Sequence, residues 1–232
     1  MSRPAVLIDR DGTVNVNVHH LHRIEDLQLI PGAGEAIAKL NTAGYPVIVI
    51  TNQSAVARGL LSERHLAKIH DTLQHLLSAF NAHIDGIYYC PHHPDEGEGV
   101  YRTLCTCRKP APGLLLQAAA EHDLDLTRSI MIGDNLSDLQ AGWAAGCQSA
   151  LVQTGYGEHT WANADRETQA RVVYAGRDLA DVADWILKRN ACISTHIINK
   201  HSRHRDFPRE FRFATYLETP LSLAGHLIKC IP

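Results

Sequence analysis

Two carboxylates stand two residues apart in Asp9-Arg10-Asp11-Gly12-Thr13, directly after the apolar run Ala5-Val6-Leu7-Ile8. The run reads as a buried strand, so both charges fall where the chain leaves a sheet. Gly12 permits a turn there, and Thr13 can hydrogen-bond into it. Two negative charges this close repel, so a cation is expected between them. Mg²⁺ suits such a site, because a hard cation prefers carboxylate oxygen. Alone, the motif could equally be an acidic turn, and the other strand ends decide between the two.

Three of those ends are also equipped. Val47-Ile48-Val49-Ile50 runs into Thr51-Asn52-Gln53-Ser54, whose hydroxyls, amides and backbone N–H groups suit an anion. The plainer alternative is a polar loop capping the next helix. Ser129-Ile130-Met131-Ile132-Gly133 runs into Asp134, which could complete a cation site with Asp9. Asp138, four residues on, could cap or brace the helix that follows. Arg108-Lys109-Pro110 precedes a helix beginning near Gly113. A fixed Lys109 would neutralise charge developing on a phosphate, and Arg108 could grip a second phosphate bidentately. As an isolated pair they would be ordinary surface cations.

A second constellation lies between these motifs. Cys90-Pro91-His92-His93 faces Cys105-Thr106-Cys107 across a segment containing Pro94, Gly97 and Gly99. Two cysteines one residue apart, opposite a Cys-x-His pair, suggest a tetrahedral Zn²⁺ site stapling a loop. Four protein ligands leave no open position, which makes the expected role structural. Spacing does not choose between His92 and His93. A disulfide or chance clustering is the alternative, disfavoured by the reducing compartment expected for the chain. Cys147, Cys192 and Cys230 show no partner pattern, and Cys147 is expected in the core.

The elements that must position these groups alternate. Strands are expected at Ala5–Ile8, Val47–Ile50, Gly86–Tyr89, Ser129–Ile132, Ser149–Val152 and Val172–Tyr174. Helices are expected at about 33–43, 63–80, 113–122, 136–145 and 178–189. In the second helix Ser62 is the N-cap, and Leu66, Ile69, Leu73, Leu76, Leu77 and Phe80 form the apolar stripe. His65, His70 and His75 interleave with it and are expected to face solvent. The alternation predicts an α/β, Rossmann-like fold with a mostly parallel sheet flanked by helices. Ligands bind at the carboxyl ends of such strands, where Asp9 and Asp11 fall.

The chain has 232 residues, 45% of them hydrophobic and 20% charged, which fits a globular domain. A net charge of −3 makes strong nonspecific nucleic-acid binding unexpected. No N-terminal signal pattern and no apolar run near the length of a membrane span is seen, so a cytoplasmic location is expected. Residues 191–232 carry six Lys/Arg against three Asp/Glu, leaving −6 for residues 1–190. They are expected to form a C-terminal extension, partly disordered or loosely docked, after a domain of residues 1–190. A basic RNA- or partner-binding role for it is the less favoured alternative.

Residues 5–155 resemble the haloacid dehalogenase-like (HAD-like) phosphatase superfamily. The resemblance rests on the order and spacing of Asp9-x-Asp11-Gly12-Thr13, Thr51, Lys109, and Gly133-Asp134 with Asp138. It implies that Asp9 is a nucleophile forming an aspartyl-phosphate and Asp11 the general acid and then base. It implies Mg²⁺ on the Asp9 carboxylate, the Asp11 backbone carbonyl and Asp134, with Thr51 and Lys109 on the phosphoryl oxygens. Within the superfamily, the segment Gly86 to Pro94, the Cys-x-His and Cys-x-Cys loop and Thr51 to Gly59 look like the D-glycero-D-manno-heptose 1,7-bisphosphate 7-phosphatase family. That likeness favours His92 as the zinc ligand and implies no large cap domain. It implies a monomer acting on a small phosphorylated sugar, with Arg108 reading the retained phosphate. Asn52, Gln53 and Ser54, together with Asn17, His19 and His20 of the loop after the first motif, are then candidates to contact substrate. This chain departs from the family at Asn17-Val18-His19-His20, where an Asp and a Gly-Tyr pair are usual. It departs again at Asn135, where Lys is common, and after about residue 190. Histidinol-phosphate phosphatase, other small sugar-phosphate phosphatases and polynucleotide 3′-phosphatase share the core. A noncatalytic zinc-stabilised binding protein is the alternative outside enzymes.

Overall fold

The computed structural model describes residues 2–189 and 227–229. Its sheet contains β1 (Val6–Ile8), β2 (Val47–Asn52), β3 (Gly86–Cys90), β4 (Ile130–Gly133), β5 (Gln148–Val152), β6 (Val172–Gly176) and β7 (Leu227–Lys229). The order is β6-β5-β4-β1-β2-β3-β7. Every pairing is parallel. The six expected strands all form. β2 continues past Ile50 because Thr51 and Asn52 pair with Tyr89 and Cys90 of β3. Ser129 stays outside β4 because its hydroxyl accepts from the Ala5 N–H and donates to the Asp125 carbonyl. The expectation for residues 191–232 falls outside the described residues, apart from β7.

Helices α1 (Ala33–Thr42), α2 (Glu63–Ser78), α3 (Gly113–His122) and α4 (Leu136–Ala144) occupy the expected segments. A further helix, here α7, covers 179–189. Two short helices, α5 (Gly157–Asn163) and α6 (Arg166–Arg171), were not expected, being too brief to show an apolar stripe. The Ser62 hydroxyl accepts from the His65 N–H at 3.2 Å, as an N-cap should.

Strand alternation divides the core between the two sheet faces. Val6, Ile8, Val47 and Val49 pack with residues of α1, α2 and α7. Leu7, Ile48, Ile50 and Tyr88 pack with residues of α3 and α4. The central strands are therefore apolar on both faces, as parallel strands under two helical layers must be. The chain steps from β1 outward through β2 to β3, then crosses back to β4 on the other side of β1. This reversal opens a crevice at the carboxyl ends of β1 and β4. The segments 9–32 and 91–112 border it as loops with 3₁₀ turns, and no inserted domain covers it among the described residues.

Two helix-face expectations are corrected, the first being Phe80, which lies just past the end of α2 and is 38% exposed. His70 does not face solvent but is 1% exposed, while His75 is exposed and His65 half-buried. His70 lies four residues after Leu66 and seven before Leu77, so helical geometry carries it into the stripe with them. Its polar edge meets Arg10 there, at 3.0 Å from Nη1 to Nε2. Leu73, fully buried on the same face, tests how tightly this layer is packed. Leu73→Ala should cost about 2–5 kcal/mol in urea unfolding at unchanged m-value.

Candidate active site

Asp9 follows β1 and its N–H bonds the Ile132 carbonyl of β4, which ties the end of β1 to its neighbour. Lys109 reaches it from the segment before α3. The Lys109 ammonium donates to Asp9 Oδ1 at 2.7 Å and to the Ile50 carbonyl at 2.7 Å, and pairs with Asp138 Oδ1 at 2.6 Å. Asn52 fixes the backbone of this lysine from both sides. Its Oδ1 accepts from the Lys109 N–H and its Nδ2 donates to the Lys109 carbonyl.

Asp134 follows β4, and its Oδ2 accepts from the Tyr156 N–H at 2.7 Å. Two glycines make room for it. A Cβ on Gly12 (φ +86°) or Gly155 (φ +59°) would overlap Asp134 Oδ2. Asp138 caps α4: the Asn135 side chain and the Asp138 carboxylate each bond the other's end of the first turn. Asp138 caps its helix as expected and in addition pairs with Lys109.

Asp9, Asp134 and Asp138 offer ligand oxygens within 4.8 Å of one another. One lysine cannot balance three carboxylates. Burial, outweighing Lys109 and aided by Asp138 and Asp11, pushes Asp9 up to about 6. Burial and then the charges of Asp9 and Asp138 push Asp134 up to about 8. Lys109 goes the other way: its two carboxylate partners overcome burial and raise it. Among the described residues, Asp9 Oδ2 and Asp134 Oδ1 have no hydrogen-bonding partner, whereas both oxygens of Asp138 are engaged. Surplus negative charge with two unengaged carboxylate oxygens is the donor set a hard divalent cation fits.

Asp11 has a different environment. Arg10 Nη2 contacts both its oxygens at 2.8 and 3.1 Å, Gln53 Nε2 donates at 2.9 Å and Asn15 Nδ2 at 2.9 Å. Burial would raise Asp11, but Arg10 and these amides more than reverse it, so its pKa lies below the usual value. Gln53 also accepts from Arg10 and donates to the Thr51 hydroxyl.

A cavity of about 400 Å³ joins these groups. Every substrate-contact residue expected from the sequence lines it: Asn17, His19, His20, Thr51, Asn52, Gln53, Ser54, Arg108 and Lys109. Asn52 and Gln53 turn their amides to Lys109, Arg10, Asp11 and Thr51 rather than outward, so they act first by holding those groups. His20 lies below its usual pKa through partial burial and then the nearby Arg58 charge, so at neutral pH it offers a neutral ring. Arg10, Asn15 and Tyr156 were missed. The first two stand within and just after the acidic motif, where an arginine between two aspartates was a usable signal. Tyr156 had none, since only strand order brings the loop after β5 beside Asp134.

The cysteine cluster forms as spaced. Cys107 Sγ lies 3.4 Å from Cys90 Sγ, 3.3 Å from Cys105 Sγ and 3.4 Å from His92 Nδ1. Cys90 Sγ lies 3.6 Å from Cys105 Sγ and 3.7 Å from His92 Nδ1. No disulfide joins these free thiols. Ligands at about 2.3 Å from a tetrahedral ion would be roughly 3.8 Å apart, so the cluster has the dimensions of a metal site. His93 is excluded from it, because its Nδ1 accepts from the Asp95 and Glu96 N–H groups. The cluster leads directly into the cavity: Arg108 follows Cys107, and its Nη1 donates to the His92 carbonyl at 3.1 Å.

Carboxylates paired with a buried lysine at the reversal point of a parallel sheet are the arrangement of HAD-like hydrolases, and a family model described as HAD-hydrolase-like matches residues 106–182. The chain is 43% identical over 190 residues to the D-glycero-D-manno-heptose-1,7-bisphosphate 7-phosphatase of Thermosynechococcus vestitus, covering 80% of this chain and 96% of that protein. It is 41% identical over 155 residues to the D-glycero-beta-D-manno-heptose-1,7-bisphosphate 7-phosphatase of Escherichia coli, covering 66% of this chain and 81% of that one. The crystal structure of the D,D-heptose 1,7-bisphosphate phosphatase from B. bronchiseptica, complexed with magnesium and phosphate, matches with a TM-score of 0.71 at 37% identity, over 80% of this chain and 99% of that one. The chain belongs to the D-glycero-D-manno-heptose-1,7-bisphosphate 7-phosphatase family.

The space around Asp134 can be tested without an assay. Gly44 has φ +81° and no atom within 4 Å of a built Cβ, whereas Gly12 has φ +86° and meets Asp134. Gly44→Ala should cost only backbone strain, about 1–2 kcal/mol. Gly12→Ala should cost clearly more in the same urea titration.

Proposed function

We propose that this chain is a Mg²⁺-dependent phosphatase that removes the 7-phosphate of D-glycero-D-manno-heptose 1,7-bisphosphate and leaves the 1-phosphate, a step toward activated heptose for lipopolysaccharide. The observation that carries the reading is the convergence of Asp9, Asp11, Lys109 and Asp134 on one cavity. Asp9 attacks phosphorus and the bond to the sugar oxygen breaks, leaving an aspartyl-phosphate. Asp11 gives the leaving oxygen its proton. Asp11 then takes a proton from the water that attacks phosphorus, which frees phosphate and restores Asp9. The dianionic phosphate entering beside Asp11 places a like charge next to it, which raises its pKa and lets it carry that proton. Lys109 and the Thr51 hydroxyl hold the phosphoryl oxygens, and Arg108 meets the phosphate that is retained. Asp9, Asp134 and the Asp11 backbone carbonyl would hold Mg²⁺, which when bound supplies positive charge against the phosphoryl group.

Cys90, His92, Cys105 and Cys107 would hold a structural Zn²⁺, tying the loop that presents Arg108 and Lys109. The reading includes a phosphatase domain of residues 1–190, a C-terminal extension and a monomeric, cytoplasmic protein. No helix among the described residues is long and apolar enough to cross a membrane.

Phosphate release with Mg²⁺ should favour one anomer of heptose 1,7-bisphosphate, at one phosphate per molecule, over histidinol phosphate, fructose 1,6-bisphosphate and a 3′-phosphorylated oligonucleotide. Preference for another member of that panel would overturn the substrate. Asp9→Asn should abolish turnover while the protein stays folded and keeps its zinc content, and residual turnover would refute the nucleophile. Cys107→Ser should lose both folded protein and bound zinc, read by elemental analysis and circular dichroism. Undiminished stability would refute the structural zinc.

A further inference from the structure

His70 and Arg10 form a buried polar chain that the proposed reaction does not use directly. Arg10 is 0% exposed and His70 1% exposed. Arg10 occupies the position between the two aspartates, yet its guanidinium turns away from Asp9. Nη2 goes to both oxygens of Asp11 and to Gln53 Oε1, and Nη1 goes to His70 Nε2 at 3.0 Å. Arginine only donates, so His70 Nε2 must be the unprotonated nitrogen of a neutral imidazole. Burial and then the Arg10 charge push His70 well below its usual pKa, which keeps that nitrogen an acceptor. His70 Nδ1 is buried without a partner, and the ring lies 5.8 Å from that of Tyr89. Among the described residues the imidazole thus makes a single polar contact, and that contact is to Arg10.

This one contact has leverage. Without it, Arg10 Nη1 would be a buried donor with no acceptor, a costly state that the side chain would relieve by shifting. Gln53, Thr51 and Asn15 complete the ring around Asp11. Gln53 also bonds Arg10, so a displaced guanidinium removes a donor from each Asp11 oxygen and loosens Gln53, leaving Asn15 as the fixed donor on Oδ1. Asp9 has its own support in Lys109 and would be undisturbed.

We propose that His70 is a positioning residue for proton transfer: through Arg10 it fixes the orientation of the Asp11 carboxylate toward the leaving oxygen. The inference rests on the phosphatase reading above. It predicts a defect confined to the proton, and an ester whose leaving group needs no proton separates this from general damage to the fold.

The test uses the full chain with Mg²⁺, comparing wild type with His70→Leu and His70→Gln. kcat/KM is measured on the sugar phosphate turned over best and on 4-nitrophenyl phosphate, whose phenolate leaves unprotonated. This parameter reports the half-reaction in which the leaving group departs. General acid–base assistance is worth about 10²–10⁴-fold, and misorientation forfeits part of it. His70→Leu should therefore lose roughly 10- to 100-fold on the sugar phosphate but less than about threefold on the aryl ester. His70→Gln keeps an acceptor and should recover most of the loss. If His70→Leu does not accumulate as folded protein, His70→Met, flexible enough to fill the same space, makes the same comparison. Equal losses on both esters, or no loss on either, would overturn the positioning role while leaving the phosphatase reading intact. Absence of phosphate release by the wild type from every ester would instead overturn both.

Discussion

The Lys109 ammonium is the charge around which this structure is arranged. It sits at the carboxyl end of a parallel sheet, almost fully buried, between Asp9 and Asp138 and against the Ile50 carbonyl. A buried ammonium is costly unless it is paired and hydrogen-bonded, and here every partner comes from a different strand end. Asp9 follows β1, Ile50 belongs to β2 and Asp138 lies in the helix after β4. The lysine therefore both compensates the acidic cluster and ties together the strand ends that form the crevice. Its own backbone is clamped by Asn52 from β2, so its position is set by the sheet rather than by the loop that carries it.

The two aspartates of the first motif diverge because their surroundings do. Asp9 is buried with one lysine and two further carboxylates nearby, which raises it. Asp11 is enclosed by Arg10, Gln53 and Asn15, which lower it. Residues two apart in sequence can thus hold different protonation properties. Electrostatics alone would leave Asp11 free to rotate. The amide and guanidinium contacts set its direction as well as its charge.

The cysteine cluster solves a different problem. Residues 91–112 form a long loop with little regular structure, which would ordinarily be poorly ordered. The loop nevertheless has to deliver Arg108 and Lys109 to a crevice built by other elements. Placing Cys107 immediately before Arg108, and the His92 carbonyl on Arg108 Nη1, makes the cluster and the cavity wall one unit. Asn17, His19, His20 and Asn135 line the same cavity as Arg108 and Lys109. Asn135 serves as the N-cap of α4, and partial burial with the nearby Arg58 charge lowers the pKa of His20.

Much of the fold was legible in local pattern. Apolar β-branched runs, the stripe of α2, the Ser62 cap and the strand–helix alternation are written in residues close in sequence, because period and turn chemistry are short-range properties. The acidic motif, the Cys-x-His and Cys-x-Cys pairs and the Arg-Lys-Pro triplet were legible for the same reason. What neighbouring residues could not decide depended on which strand lies beside which. Tyr156 reaches Asp134 only because β5 pairs with β4, and Asn52 clamps Lys109 only because β2 ends beside the segment before α3. His70 shows the limit most plainly. Its helical position was visible, but whether an imidazole faces water or the core depended on a donor sixty residues away. The sequence by itself determined which residues could do chemistry and in what elements they lie. The tertiary structure decided which of His92 and His93 joins the cysteines, which aspartate is raised and which lowered, and which polar side chains hold the site rather than face its contents, because burial and charge at each group come from distant segments of the chain.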